Sequence, residues 1–426
     1  MPETTFTGPD LTTFLGLDAL GLTAVGQYLT AKRAVIECRM PIGFEDPFCR
    51  ACGAQGVSRG TVARHLAHVP VGWRPTQLVV RLRRFACTGC RRVWRQDTSG
   101  LAEPRARLTH AAVEWGLRAL ALEAMSVSRV AAALGISWHT ANNAILTRAE
   151  QTITGNPHRF DGVEVLGVDE HVWRHTRRGD RYVTVVIDLT PVRDRSGPAR
   201  LLDMVPGRSK KVFKTWLAAR GESWRERVEV VAMDGFTGFK SAAGEELPKA
   251  RAVMDPFHVV SLAGDKLDEC RRRIQRAITG RRGRAGDRLY RARRTLHTGA
   301  GLLTDAQAER LEALFADERH AAVQAYRVED PGLGKYLMQR LIDSLRQAVP
   351  DGLEEIQALA KTLTERASDI LAYFDQPRTS NGPTEAINGR LEHLRGIALG
   401  FRNLANYTIR SLIHTGRLKD HLTTTT

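Results

Sequence analysis

Three apolar runs in this chain each end on an aspartate, and no other feature restricts the fold as much. They read Val-Glu-Val-Leu-Gly-Val-Asp to Asp169, Val-Glu-Val-Val-Ala-Met-Asp to Asp234, and Ala-Arg-Ala-Val-Met-Asp to Asp255. Short valine-rich runs of this length read as buried strands. A further run, Tyr182–Leu189, follows the first across a Gly179-Asp180 turn and forms a hairpin with it. A carboxylate at the mouth of a buried strand is costly unless something pairs with it, and a divalent cation is the usual partner. Asp169 is therefore the anchor, and the question is which other carboxylates the chain brings to it.

Strands at 163–169, 181–189 and 199–205 precede a helix from Ser209 to Arg220, with Ser209 as its cap. The two remaining aspartate-ended runs follow. Hairpin-linked strands and then helix-strand units are the order of an RNase H-like fold, a mixed α/β sheet with helices on its faces. From 266 to 375 strand signals vanish and helical periodicity takes over. Thr304 and Gln307 make a capping-box pair there, and Leu337, Leu341, Leu345, Ile356, Leu359, Leu363 and Ile370 continue the apolar stripe. This reads as a helical insertion. Ser380-Asn381-Gly382-Pro383 then enters a last helix that carries Glu385 in its first turn, with Asn388 on the same face.

At 426 residues the chain calls for two to four domains. It lacks both an uninterrupted apolar run of membrane-spanning length and a secretory leader, so a cytoplasmic protein without a membrane partner is expected. The net charge is +16. Its distribution is uneven: Pro47–Gln96 holds ten Arg and no acid, and Arg271–Arg294 holds eleven Arg among twenty-four residues. Clustered surplus of this size points to an acidic polymer, nucleic acid before membrane. Arg271, Arg272, Arg273, Arg281 and Arg282 are the candidates for gripping its backbone.

Four of the six cysteines form two Cys-x-x-Cys knuckles, Cys49/Cys52 and Cys87/Cys90. A pair of knuckles completes a closed, tetrahedral structural zinc site, with Gly53 and Gly89 suiting the turns. A disulfide pair suits the cytoplasm poorly, and a redox motif lacks its βαβ surroundings. The module is too small and too basic to bury its own core, so zinc would supply its folding energy. A strand-like run, Gln77–Phe85, lies between the knuckles. Cys38 and Cys270 read as ordinary buried thiols, and residues 1–37 as a short helical element. Between 105 and 150, two helices flank Gly135 and Ser137 in the manner of a helix-turn-helix. Trp138, His139, Asn142, Asn143 and Arg148 would face DNA from its second helix. A plain helical hairpin is the bland alternative.

Phosphoryl transfer on DNA with two divalent ions needs carboxylates that bridge and flank the metals. Asp169, Asp234 and Glu385 supply such a set. Glu392, seven residues after Glu385, is a rival third ligand. Asp255, His258 and Asn388 are accessory candidates. Arg83-Arg84-Phe85-Ala86-Cys87-Thr88-Gly89-Cys90, Gly167-Val168-Asp169-Glu170, Met233-Asp234-Gly235-Phe236, Asp255-Pro256-Phe257-His258 and Ser380-Asn381-Gly382-Pro383-Thr384-Glu385 together resemble the ISL-three family of bacterial insertion-sequence transposases. The segment after Asp169 is richer in His and Arg than the family pattern. The resemblance implies an Asp-Asp-Glu triad on Asp169, Asp234 and Glu385. It also implies Mg²⁺- or Mn²⁺-dependent cleavage and transfer at terminal inverted repeats. Double-stranded DNA is the expected partner, bound by a homodimer or higher oligomer on the bacterial nucleoid. The expected organisation is an N-terminal segment 1–48, a zinc module 49–97, a helix-turn-helix 105–150, a first core part 160–265, the helical insertion 266–375 and a last core part 376–416. A non-enzymatic helix-turn-helix repressor and an inactive domesticated transposase are the contrasting readings.

Overall fold

The computed structural model describes residues 10–43, 46–176, 180–298, 303–320, 334–347, 353–376 and 378–418, with the single positions 323, 349 and 422. The hairpin residues 177–179 and the side chains of Phe257 and Leu337 lie outside them. The chain divides into two compact units, Met1–Arg159 with Ile397–Thr426, and Phe160–Gly396.

In the first unit a short helix α1 (Leu11–Phe14) leads into β1 (Thr23–Leu29) and β2 (Ala34–Arg39). Two long strands follow, β3 (Gly56–Val71) and β4 (Arg74–Cys87), then β5 (Val93–Arg95). They form one sheet in the order β1-β2-β4-β3, with β5 on β4. β4 extends the run expected at 77–85. Its Leu78, Val80 and Leu82 alternate inward and join Leu17, Leu22, Ile36, Cys38, Leu66, Leu101 and Ala102 in a core. Two expectations are corrected here. The boundary at 48 falls inside this sheet, because β2 pairs in parallel with β4 from Ala34↔Thr76 to Arg39↔Arg81. The knuckle region also shares a real apolar core, to which the N-terminal segment that sequence left nearly blank adds Leu17, Leu22, Ile36 and Cys38.

Helices α2 (His110–Ala121), α3 (Val127–Leu134) and α4 (Trp138–Ile153) complete the unit with α16 (Leu404–Thr415). The apolar face of α16, with Tyr407, Ile409, Leu412 and Ile413 buried, packs on α2 and α4. The segment expected as the last core part, 376–416, is therefore split near Ile397.

The second unit is built on a sheet ordered β10-β9-β6-β7-β8. Its strands are β6 (Val165–Val172), β7 (Tyr182–Asp188), β8 (Arg200–Pro206), β9 (Val230–Met233) and β10 (Arg251–Met254). β6, β7 and β8 run antiparallel in sequence, while β9 and β10 run parallel to β6. Strands buried on both faces read as continuous apolar runs. That is why β9, Val-Val-Ala-Met, is wholly buried. After the short helix α5 (Thr190–Arg193), helices α6 (Lys210–Ala218), α7 (Glu222–Arg227) and α8 (Thr237–Glu246) supply Phe213, Trp216, Trp224 and Phe239 to a core with Val168, Val186 and Met233.

A second core, with Val259, Leu267, Leu311, Leu314, Leu359, Leu363 and Ile370, belongs to the helical region. That region comprises α9 (Pro256–Thr279), α10 (Arg288–Ala292), α11 (Asp305–Phe315), α12 (Gly334–Gln347), α13 (Glu354–Glu365) and α14 (Ala367–Asp375). It begins at Pro256, directly after β10, and not at 266. Pro at the first helical position starts α9 at once. Helix α15 (Gly382–Ile397) then returns to the sheet.

Candidate functional site

Parallel pairing brings the three aspartates together. Val168 pairs with Met233, and Met233 with Met254, so the next residue on each strand is Asp169, Asp234 or Asp255. The strand mouth expected at Asp169 is corrected: β6 continues past it to Val172 along β7. Its other neighbour, β9, stops at Met233, and that break in the ladder opens one side of Asp169. Asp169 is 9% exposed and Asp255 1%. Asp234 is half-buried, and its Oδ1 accepts the Phe236 N–H at 2.9 Å. Arg366, which sequence reasoning missed, donates to the carbonyl of Gly235 at 2.7 Å while its Nε pairs with Asp369. It pins the turn that carries Asp234.

Both oxygens of Asp169 are held. Oδ1 accepts the backbone N–H of Glu170 at 2.8 Å, and Oδ2 accepts the side-chain amide of Asn388 at 2.8 Å. Burial nevertheless pushes its carboxyl up to about 7, with the charges of Asp234, Glu170 and Glu385 adding to the shift. A buried carboxyl beside other acids is a group that a cation would relieve.

Helix α15 reaches the sheet across Gly167. A Cβ built there would lie 2.5 Å from Thr384 Oγ1 and 3.3 Å from Asn381 Oδ1, so only glycine lets the helix approach this closely. The Asn381 N–H donates to Asp255 Oδ1 at 3.0 Å. One turn on, Glu385 Oε1 lies 3.7 Å from His258 Nε2. The ligand atoms of Asp255, His258 and Glu385 all fall within 4.8 Å of one another. Among the described residues Asp169, Asp234 and Glu385 do not form so tight a group, although Asp234 and Glu385 both act on the charge of Asp169. The accessory candidates thus sit against Glu385 and Asp169. The rival Glu392 is exposed and paired with Arg395.

In the other unit, Cys49, Cys52, Cys87 and Cys90 gather their sulfurs within 4.8 Å of one another. Cys49 lies 3.5 Å from Cys90 and Cys52 3.4 Å from Cys87. The backbone N–H of Cys90, aided by that of Gly89, draws the Cys87 thiol down to about 6. Four thiol donors, one already favoured as thiolate, fit a closed zinc site.

The helix-turn-helix is built as its sequence signals require. Ser126 caps α3, Gly135 ends it at φ +64°, and Ser137 caps α4. His139 and Asn143 are exposed one turn apart, and Thr147 extends that row without having been foreseen. Trp138 is 42% exposed. Asn142 is corrected: it is 4% exposed and points into the bundle. Arg148 is exposed but pairs with Glu114. The arginine run is corrected as well. Arg271 is buried on Asp268 of its own helix, and Arg273 is bound by both oxygens of Glu355, which ties α9 to α13. Arg272, Arg281 and Arg282 remain exposed, Arg272 paired with Asp268 and Arg281 with Asp287.

Residues 166–411 match a protein family described as "Transposase". Residues 96–149 match the helix-turn-helix domain of transposase family ISL3. The transposase for insertion sequence element IS1557, from two strains of Mycobacterium tuberculosis, is 28% identical over 310 residues, which is 66% of this chain and 66% of that protein. Among solved structures, the Drosophila P element transposase strand transfer complex aligns with 73% of this chain and 92% of that chain, at 12% identity and a TM-score of 0.38.

Proposed function

The chain belongs to transposase family ISL3, and from that premise we propose that it cuts and joins DNA at the terminal inverted repeats of an insertion sequence. One observation carries the reading: the register of three parallel strands lines up Asp169, Asp234 and Asp255, and α15 delivers Glu385 and Asn388 to the same edge. The strand order, with three antiparallel strands followed by two parallel ones on the far side of the first, supports an RNase H-like core. A repressor would have no use for this edge.

Asp169, Asp234 and Glu385 would hold a divalent cation, Mg²⁺ or Mn²⁺. When bound, that ion supplies Lewis-acid activation of the attacking oxygen and charge stabilisation at the leaving one. The chain's own groups prepare the place. Asn388 fixes one lone-pair direction of Asp169, and the Glu170 N–H fixes the other. Arg366 holds the Asp234 turn. Asp255 and His258 set the position of Glu385, acting as positioning residues. The apolar sheet beneath excludes water from one side of the carboxylates, which strengthens every electrostatic contact there.

Zinc on Cys49, Cys52, Cys87 and Cys90 would have no open position for substrate and would act structurally. The exposed row His139, Asn143 and Thr147 would enter the major groove, while Arg272, Arg281 and Arg282 would meet phosphates without reading sequence. The partners are element ends and target duplex, engaged by a homodimer or higher oligomer in the cytoplasm on the nucleoid. No helix among the described residues is long and apolar enough to cross a membrane. Cleavage of a labelled element end by wild type and by triad variants, with Mg²⁺ or Mn²⁺, tests this reading.

A further inference from the structure

The hairpin of β3 and β4 ends in a two-residue turn, Gly72-Trp73, closed by Val71 opposite Arg74. Gly72 has φ +59°, as a primed hairpin turn requires at its first loop position. The turn is further tied by the Val71 N–H donating to Thr76 Oγ1 at 3.1 Å. At this stiff tip Trp73 is 102% exposed, more than any other large apolar residue among those described. A side chain with so much burial to gain is left wholly in water, at the end of strands of 16 and 14 residues.

The tip stands beside the start of α4. Pro75 Cβ lies 2.9 Å from where a Cβ on Gly135 would be, in the turn that precedes that helix. Between sheet and helix opens a cavity of about 360 Å³ lined by Arg33, His65, Pro75, Arg107, Gly135 and Ser137. Its wall thus combines two arginines with the N-terminal end of a 16-residue helix, where backbone N–H groups face outward. The charge selects the occupant. No acid occurs between Pro47 and Gln96, and Arg74 follows Trp73 directly. A flat aromatic ring flanked by cations suits a polyanion that carries flat apolar units within it, and duplex DNA is such a polymer.

We propose that Trp73 is a wedge that stacks against a base step of the duplex lying on α4, with Arg74, Arg33 and Arg107 on the adjoining phosphates. This rests on the reading of α4 as the DNA-reading helix. Apolar side chains at such positions partly unstack a step, and stacking of one base on an aromatic ring is sequence-tolerant.

The test uses the full chain and labelled duplexes taken from the DNA flanking its gene, with an unrelated duplex as control. Wild type is compared with Trp73→Ala, Trp73→Phe and Asn143→Ala for affinity, melting temperature and permanganate reactivity of thymines along the duplex. Because Trp73 is wholly exposed, its variants should melt with wild type. Trp73→Ala should lose roughly 5- to 100-fold in affinity. It should also abolish thymine reactivity at one step beside the α4 footprint, and Trp73→Phe should restore most of both. If Asn143→Ala weakens binding and Trp73→Ala does not, the wedge is overturned while the reading of α4 stands. If both variants bind as wild type, the reading of α4 fails and the wedge with it. If Trp73→Ala weakens binding while Asn143→Ala is silent, the duplex meets the hairpin tip without lying on α4, and the wedge as placed here is overturned.

Discussion

Asn388, on the second turn of α15, donates its side-chain amide to Asp169 Oδ2 at 2.8 Å, across 219 residues of sequence. That contact locks the helix bearing Glu385 to the central strand of the sheet. Asn388→Ala should therefore lower strand cleavage by about 10- to 100-fold, as loss of a ligand-orienting partner does. Binding of element ends should be unchanged. Parallel cleavage and binding titrations check this, and equal losses in both would mean the contact only holds the fold.

Asp169 predicts a pH dependence. Its folded carboxyl is raised to about 7, well above the ordinary value of 3.8. A raised folded pKa gives stability that is present in full below the unfolded pKa and lost as pH rises through the folded one. Without divalent metal the protein should therefore lose stability from roughly pH 4 to 7, by a few kcal/mol at most. Asp169→Asn should remove that slope and melt higher than wild type at pH 8. Adding Mg²⁺ at pH 8 should raise the melting temperature of wild type and leave the variant where it was.

Gly167→Ala should displace α15, since its Cβ would meet Thr384 Oγ1 at 2.5 Å. The expected cost is about 1–3 kcal/mol by denaturant melts. Thr384→Ala in the same chain should recover part of it, because the nearest obstructing atom is then gone. No recovery would place the strain elsewhere.

The cysteine cluster should carry one zinc per chain, and Cys87→Ser should lose it. Because residues 10–102 also share an apolar core, loss of zinc should loosen the knuckles without unfolding the whole sheet. Elemental analysis and hydrogen exchange across 46–97 read this directly. Zinc retained after Cys52 and Cys87 are both replaced contradicts it.

The site was legible wherever a local pattern carries the physics. Valine runs ending on aspartate gave β6, β9 and β10, and Gly135 and Ser137 gave the turn of the helix-turn-helix. Tertiary choices were not legible. Half of β3 is exposed and it contains Gly60 and Pro70, so only its long pairing with β4 makes it a strand. Asn142 looks like its neighbour Asn143 in sequence, and only the packing of α4 buries one and exposes the other. Arg271 and Arg273 belong to a basic run, and the acids that hold these two, Asp268 and Glu355, lie outside it. Arg366 has no motif at all, and its value depends on the Gly235 carbonyl 131 residues away.

The central claim is that Asp169, Asp234 and Glu385 act together on DNA through a divalent ion. The most direct test is Mg²⁺- or Mn²⁺-dependent cleavage of a labelled element end by wild type, Asp169→Ala, Asp234→Ala and Glu385→Ala, with end binding measured on the same preparations. The account predicts that wild type cuts only with metal, and that each variant binds the end but neither cuts nor joins it. Appreciable cutting by the Asp234→Ala protein would contradict it.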